Sequence, residues 1–167
     1  MSELEVKISK VHALLDQHNL DALYLTRVSS FAWATCGAAS YINTATTTGE
    51  ASLLITKNAR YLIANNIEAP RFDKEEKLKA QGWQFEVSPW FQNSDALERL
   101  TKGQKVGADV YTPGMMDLSN ELSVLRMNLL PEEQERFREV SRLSAEAVEA
   151  ATRAACNTAT FFASERK

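Results

Sequence analysis

Apolar residues near the start of the chain recur at Leu4, Ile8, Val11 and Leu15, with charged side chains on the opposite side. That spacing predicts an amphipathic helix. Asn19 is a suitable terminator, because asparagine tolerates positive φ better than most residues. Residues 21–26 (DALYLT) then read as a short buried strand. A helix that feeds a strand through a short link is the grammar of a layered α/β domain. Residues 51–56 and 60–65 look like two more strands joined at Lys57-Asn58-Ala59. That link suits a β-hairpin with a bulge, with Asn58 supplying the positive φ.

Residues 68–81 swing to charge, with a thin apolar face from Phe72 and Leu78. They predict an exposed helix after Pro70, ended by Gly82. Residues 83–87 (WQFEV) alternate apolar and polar, the pattern of a half-buried strand. A short helix over 94–100 is expected next, capped by Ser94 or Asn93. A strand over 105–110 and a helix over 114–125 follow. The alternation predicts an α/β fold, a mixed β-sheet flanked by helices.

Two stretches depart from this rhythm. From Val28 to Thr56 the only charged side chain is Glu50. Such a segment is either half-buried strand and turn or a surface that another protein covers. From Pro131 to about Ala155 there is neither glycine nor a further proline, and Glu132 and Glu133 suit the positive end of a helix dipole. A helix there would be about 37 Å long, with Phe137, Val140, Leu143, Val148 and Ala151 as one apolar stripe. It either packs along the sheet or lies against something this chain does not encode.

Composition narrows the function classes. The chain has 167 residues, 44% hydrophobic and 25% charged, enough for one self-sufficient core. A net charge of −3 argues against a nucleic-acid or anionic-membrane partner, since both want a basic surface. No run approaches the roughly 20 apolar residues of a membrane span. Charges at Glu3, Glu5, Lys7, Lys10 and Asp16 interrupt any secretory h-region. Cys36 and Cys156 lie far apart and form no CxxC pair, so reduced thiols in a cytoplasmic protein are expected.

Familiar catalytic constellations do not emerge from the spacing. The six glycines never form a phosphate-cradling G-x-G-x-x-G or G-x-x-x-x-G-K. His12 and His18 are separated by about 240° around a helix and cannot chelate together from it. Cys36 has small and apolar neighbours, which favours burial over nucleophilic work. Ser29-Ser30 lacks the G-x-S-x-G turn. The pairs Glu75-Glu76 and Glu132-Glu133 sit on charged helices, where a solvated face is the default.

Several strings, in their order, resemble the N-terminal, non-catalytic domain of the creatinase, prolidase and aminopeptidase P family, the pita-bread metallopeptidases. They are LDALYLT at 20–26 after the amphipathic helix, and FAWATCG at 31–37, where the family often shows a tyrosine-leucine-threonine-glycine pattern. The paired strands 51–56 and 60–66 and the string KVGAD at 105–109 follow. Leu125-Arg126 and then PEEQERFR at 131–138 look like the family's linker and the first helix of its catalytic domain.

The resemblance implies a ribonuclease-H-like α/β domain over 1–128. It implies a linker and first catalytic-domain helix over 129–155, with an atypical tail over 156–167. In that family two Asp, one His and two Glu of the C-terminal domain hold two divalent metal ions (Mn, Co or Zn), and no position here matches any of them. The chain itself is therefore expected to be non-catalytic and without a cofactor, its catalytic domain missing. A shortened chain or an interrupted reading frame would then account for both the overlong helix and the tail.

The family's N-terminal domain contributes to dimer or tetramer contacts and helps wall off the neighbouring subunit's active-site entrance. Glu68, Arg71 and Phe72 after the 60–65 strand, with Trp33 and Tyr41 in the charge-poor segment, are the candidate interface and partner-site residues, and a homodimer is expected. The competing reading is a free-standing small-ligand-binding α/β domain that uses the crevice at the carboxyl ends of the strands. Its specific version is a ribonuclease-H-like enzyme with Asp21, Glu50 and Asp109 as metal-holding carboxylates.

Overall fold

Ser2 starts the first helix with a reciprocal cap. Its hydroxyl accepts the Glu5 N–H at 3.3 Å, and the Glu5 carboxylate accepts the Ser2 N–H at 2.7 Å. This computed structural model describes residues 1–164, with side chains described through Cys156. The chain divides into two units, Met1–Asn128 and a second that begins at Leu129.

In the first unit, α1 (Glu3–Gln17) buries Val11, Leu14 and Leu15, and Asn19 leaves it at φ 53°. Then follow β1 (Ala22–Arg27), α2 (Val28–Ala34), β2 (Thr48–Thr56) and β3 (Arg60–Asn65). The unit continues with α3 (Ala69–Lys74), β4 (Gln84–Ser88), α4 (Ala96–Thr101), β5 (Val106–Ala108), β6 (Met116–Asp117) and α5 (Ser119–Met127). The sheet order is β4-β3-β2-β1-β5-β6. Strands β1, β2 and β3 form an antiparallel meander, while β4, β5 and β6 join by parallel pairing. The expected mixed sheet flanked by helices is therefore the fold found.

Strand periodicity assigns the two faces, because successive side chains point to opposite sides. Leu23, Leu25, Leu53, Ile55, Leu62 and Ala64 face one core with Val11 and Leu15 of α1, Phe31 and Trp33 of α2, and Phe72 of α3. Ala22, Leu54, Ile63 and Val106 face the other, where Ala96, Leu97 and Leu100 of α4 cover them.

Four local expectations are corrected. The β2–β3 register runs unbroken from Ala51↔Ala64 to Ile55↔Arg60, so the hairpin has no bulge. Asn58 is not among the positive-φ residues, because the Thr56 hydroxyl accepts the N–H groups of Asn58 and Ala59 and closes the turn. The charged segment makes only α3, since Lys77 turns at φ 55° and stops it well short of Gly82. Before α5, Met116–Asp117 pairs with β5, so the helix begins at Ser119 rather than Gly114. The charge-poor segment starts with a short helix, α2, that carries Phe31 and Trp33 into the core.

In the second unit, α6 spans Pro131–Ser164, about 51 Å of helix, and continues past Ala155. Arg142 bridges Glu139 and Glu146 along its exposed surface. Phe137, Val140, Leu143 and Val148 are exposed. The expected tail lies largely outside the residues whose side chains are described, and residues 165–167 lie wholly outside. Among the described residues no helix is long and apolar enough to cross a membrane.

Candidate functional site

The segment after β3 is built by an asparagine. Asn65 Oδ1 accepts the N–H groups of Ile67 and Glu68, both at 2.9 Å, and so turns the chain into α3. Pro70 sits in the first turn of α3, where its missing N–H costs nothing. Arg71 Nε then donates to Glu68 Oε2 at 2.9 Å, and Arg71 Nη1 donates to Ala39 O at 2.8 Å. Nη1 also reaches Glu76 Oε1 at 3.5 Å. The guanidinium lies 4.5 Å from the centroid of the Phe72 ring. Phe72 is fully buried and its ring is 5.6 Å from that of Phe31.

Three of the five expected partner residues, Glu68, Arg71 and Phe72, thus form one cluster. They spend their surfaces within the domain: Phe72 in the core, Glu68 on Arg71, and Arg71 on Glu68 and Ala39. Trp33 is elsewhere on α2, buried, with Lys7 Nζ 5.5 Å from its ring. Tyr41 is the exposed member of the five, two residues beyond the Ala39 carbonyl that Arg71 holds.

A different aromatic pair is open to solvent. Trp90 and Phe91 are 65% and 68% exposed, their rings edge to face at 5.9 Å. The Trp90 N–H donates to Asn66 Oδ1 at 2.8 Å, which fixes the turn beside exposed Ile67. Val87, also exposed, lies on β4, the edge strand that precedes the turn. The Trp90-Phe91 pair falls between the predicted 83–87 strand and 94–100 helix, and is not among the candidate interface residues that the sequence offers. The available signal was two adjacent aromatics outside any strand or helix period, which one core cannot take up together.

The three candidate carboxylates do not converge. Asp21 Oδ2 accepts the Lys105 N–H at 2.8 Å at the start of β1. Asp109 accepts the N–H groups of Thr26 and Arg27, both at 2.9 Å, at the other end of that strand. Five residues of extended chain put about 16 Å between those positions. Glu50 is exposed on β2. Among the described residues no three His, Cys, Asp or Glu gather as a metal site, so the donor set present does not fit a two-metal centre. His12 Nε2 lies 3.1 Å from Thr56 O, so its ring is engaged with the hairpin backbone.

No family model and no curated protein matches the chain. Solved structures do. The prolidase from Pyrococcus horikoshii OT3 is 16% identical, with 87% of this chain and 42% of that chain covered and a TM-score of 0.60. The aminopeptidase P, an Xaa-Pro aminopeptidase, from Streptococcus thermophilus is 18% identical, with 75% and 100% covered and a TM-score of 0.53. The N-terminal domain of a FACT complex subunit from Cicer arietinum (chickpea) is 13% identical, with 89% and 46% covered and a TM-score of 0.53. The chain thus spans less than half the length of the prolidase. At these identities the likeness is one of fold: the chain shares its fold with the aminopeptidase P structure and with a part of the prolidase.

Proposed function

We propose that this chain serves as the non-catalytic N-terminal domain of a metal-dependent Xaa-Pro aminopeptidase or prolidase-like hydrolase. In this reading it assembles a homodimer and shapes access to a substrate site that a catalytic domain supplies. The observation that carries the proposal is the fold shared with the aminopeptidase P and prolidase structures. The carboxylate geometry supports it, because Asp109 is committed to backbone N–H groups and lies far from Asp21. Two divalent ions would sit on the catalytic domain's carboxylates and histidine, where they activate water and polarise the scissile carbonyl. No residue of this chain is assigned to them.

Assembly would use the exposed aromatic turn at Trp90-Phe91 and the edge strand β4 beside it. Unpaired strand edges accept a second strand, and exposed tryptophan buries large area at modest entropic cost. The occurrence of the same fold in a FACT complex subunit agrees with a role in assembly. The test combines sedimentation equilibrium with hydrolysis of Xaa-Pro dipeptides and peptides in Mn²⁺, Co²⁺ or Zn²⁺. A folded dimer without turnover supports the reading. Metal-dependent turnover that co-purifies with this chain overturns the non-catalytic role, and a monomer at every concentration overturns the assembly role.

A further inference from the structure

Strands β1, β5 and β6 run parallel, and their carboxyl ends lie together along one side of the sheet. In α/β sheets that is where ligands are bound. A cavity of about 240 Å³ opens there, lined by Arg27, Asp109, Ser119, Asn120, Ser123 and Arg126. Its walls are polar and carry two guanidinium groups, although neither arginine belongs to the Glu68–Arg71 cluster or to the aromatic turn.

The hydrogen bonds show which charges are already satisfied. Asp109 Oδ1 accepts the Thr26 N–H at 2.9 Å and the Thr26 hydroxyl at 3.2 Å, and Oδ2 accepts the Arg27 N–H at 2.9 Å. Asp109 is thus a fixed part of the wall. Arg27 Nε donates to the Asp109 carbonyl at 2.9 Å, and Arg126 Nη1 donates to Ser30 Oγ at 2.5 Å. Among the described residues, no acceptor takes the two terminal nitrogens of Arg27, or Nε and Nη2 of Arg126. Burial pulls the Arg126 guanidinium below its usual value; Asp109 opposes that shift, and the nearby charge of Arg27 reinforces it. Asp117, whose carboxylate also feels Arg27, is engaged with the N–H of Ser119. Two like charges therefore share one small cavity with spare donors.

We infer that this cavity binds the carboxylate group of a small molecule, clamped between Arg27 and Arg126. A guanidinium offers two parallel N–H donors that match the two oxygens of a carboxylate. Asp109 brings negative charge of its own to the wall, and Asp117 adds more within reach of Arg27, which selects a monoanionic group over dianionic phosphate. The volume equals about eight waters at 30 Å³ each, enough for a carboxylate on a short stem. The inference is independent of the assembly role.

The test titrates the full chain with acetate, succinate, phosphate and chloride while NMR follows the arginine Nε–H signals. The expected result is saturable movement of the Arg27 and Arg126 signals by acetate or succinate, with phosphate at least about tenfold weaker. In Arg126→Gln, carboxylate affinity should fall about tenfold, since a charge-assisted bidentate pair is lost. If that variant does not fold, Arg126→Lys decides: it keeps the charge but loses the fork, and several-fold weaker binding is expected. Equal affinity in a folded variant overturns the inference. So does movement of other arginines only, no saturation, or equal response to all four anions, which would be charge screening alone.

Discussion

Arg71 Nη1 donates to the carbonyl of Ala39, 32 residues earlier in the chain, at 2.8 Å. One side chain thereby joins α3 to the segment that leads to Tyr41. The same guanidinium neutralises Glu68, which is 9% exposed, and lies over the ring of Phe72. A residue that the sequence suggested for a partner site is also a strut of the domain's own structure.

Arg71→Met should therefore destabilise the domain by about 1–3 kcal/mol. It leaves the Glu68 carboxylate and the Ala39 carbonyl without their donor while preserving much of the aliphatic packing. Arg71→Lys should cost less, because the charge remains and only the fork is lost. Urea unfolding reads both. Equal stability of Arg71→Met and wild type would show that water replaces the guanidinium at no cost.

Asp109→Asn offers a sharper contrast. The native carboxylate accepts backbone N–H groups on both oxygens, and an amide can accept on only one. Its NH₂ would face a donor, so the substitution should cost about 2–3 kcal/mol, comparable to Asp109→Ala. Thermal unfolding of the two variants tests this. A neutral Asp109→Asn would mean that the carboxylate is kept for something other than holding the end of β1.

The strands over 21–26, 51–56 and 60–65 were legible as short apolar runs, as strands covered on both faces must be, and 83–87 as an alternation of apolar and polar residues at the sheet edge. Helix α1 was legible by its period of 3.6. The turn at Thr56 was not, since its closure depends on a hydroxyl rather than on positive φ at Asn58. Nor was β6, whose two residues form a strand only because β5 lies beside them. Among the candidate interface residues, aromatic identity within the charge-poor segment pointed to Trp33, and tertiary packing around α2 buries it. Trp90 and Trp33 cannot be told apart by residue type. What distinguishes them is that α2 is inserted between core elements, whereas the turn after β4 lies beyond the sheet edge.

Gly107 gives a packing prediction. A Cβ built there would meet Leu118 Cδ1 at 2.5 Å and Leu20 Cδ1 at 2.9 Å, inside van der Waals contact. Gly107→Ala must displace two leucines in the core, and overpacking of this kind costs about 1–3 kcal/mol. Gly103→Ala is a contrasting control: nothing lies within 4 Å of its Cβ, but its φ of +74° makes the loss one of backbone strain. Leu118→Ala is itself destabilising because Leu118 is fully buried, but its cost should be less than additive with that of Gly107→Ala and additive with that of Gly103→Ala. Thermal unfolding of the double variants reads the difference, and identical behaviour of the two would refute the steric account.

Acid stability should depend on Asp117. The backbone N–H and then the hydroxyl of Ser119 hold its carboxyl below the ordinary value, with a smaller contribution from Arg27. The folded value lies below the unfolded one, about 3.9. The stabilisation is therefore fully present above that unfolded value and is lost as pH falls through the folded one. Asp117→Ala should be less stable than wild type at neutral pH, and the gap should close in acid. Circular dichroism of chemical unfolding at several pH values measures the gap. A gap that stays constant across the acid range would assign the effect to helix geometry rather than to charge.

Trp90 tests assembly without touching the core. It is 65% exposed and its ring contacts Phe91, so replacement removes little that holds the domain together. Trp90→Ser should change the unfolding free energy by less than about 0.5 kcal/mol, the usual range for surface positions. At an interface anchored by this turn, the same change should weaken self-association by about 2 kcal/mol, close to thirtyfold. Tyr41→Ala, at another exposed aromatic, separates a contact confined to the β4 edge from one that also uses the segment held by Arg71. Sedimentation equilibrium of wild type and both variants, over a range of concentrations, gives the three association constants. Loss with Trp90→Ser alone locates the contact at the β4 edge, and loss with Tyr41→Ala alone moves it to the segment that Arg71 ties down. Unchanged association in both variants would remove both aromatic surfaces from the assembly and leave α6, whose apolar stripe is exposed along Phe137, Val140 and Leu143, as the surface to test next.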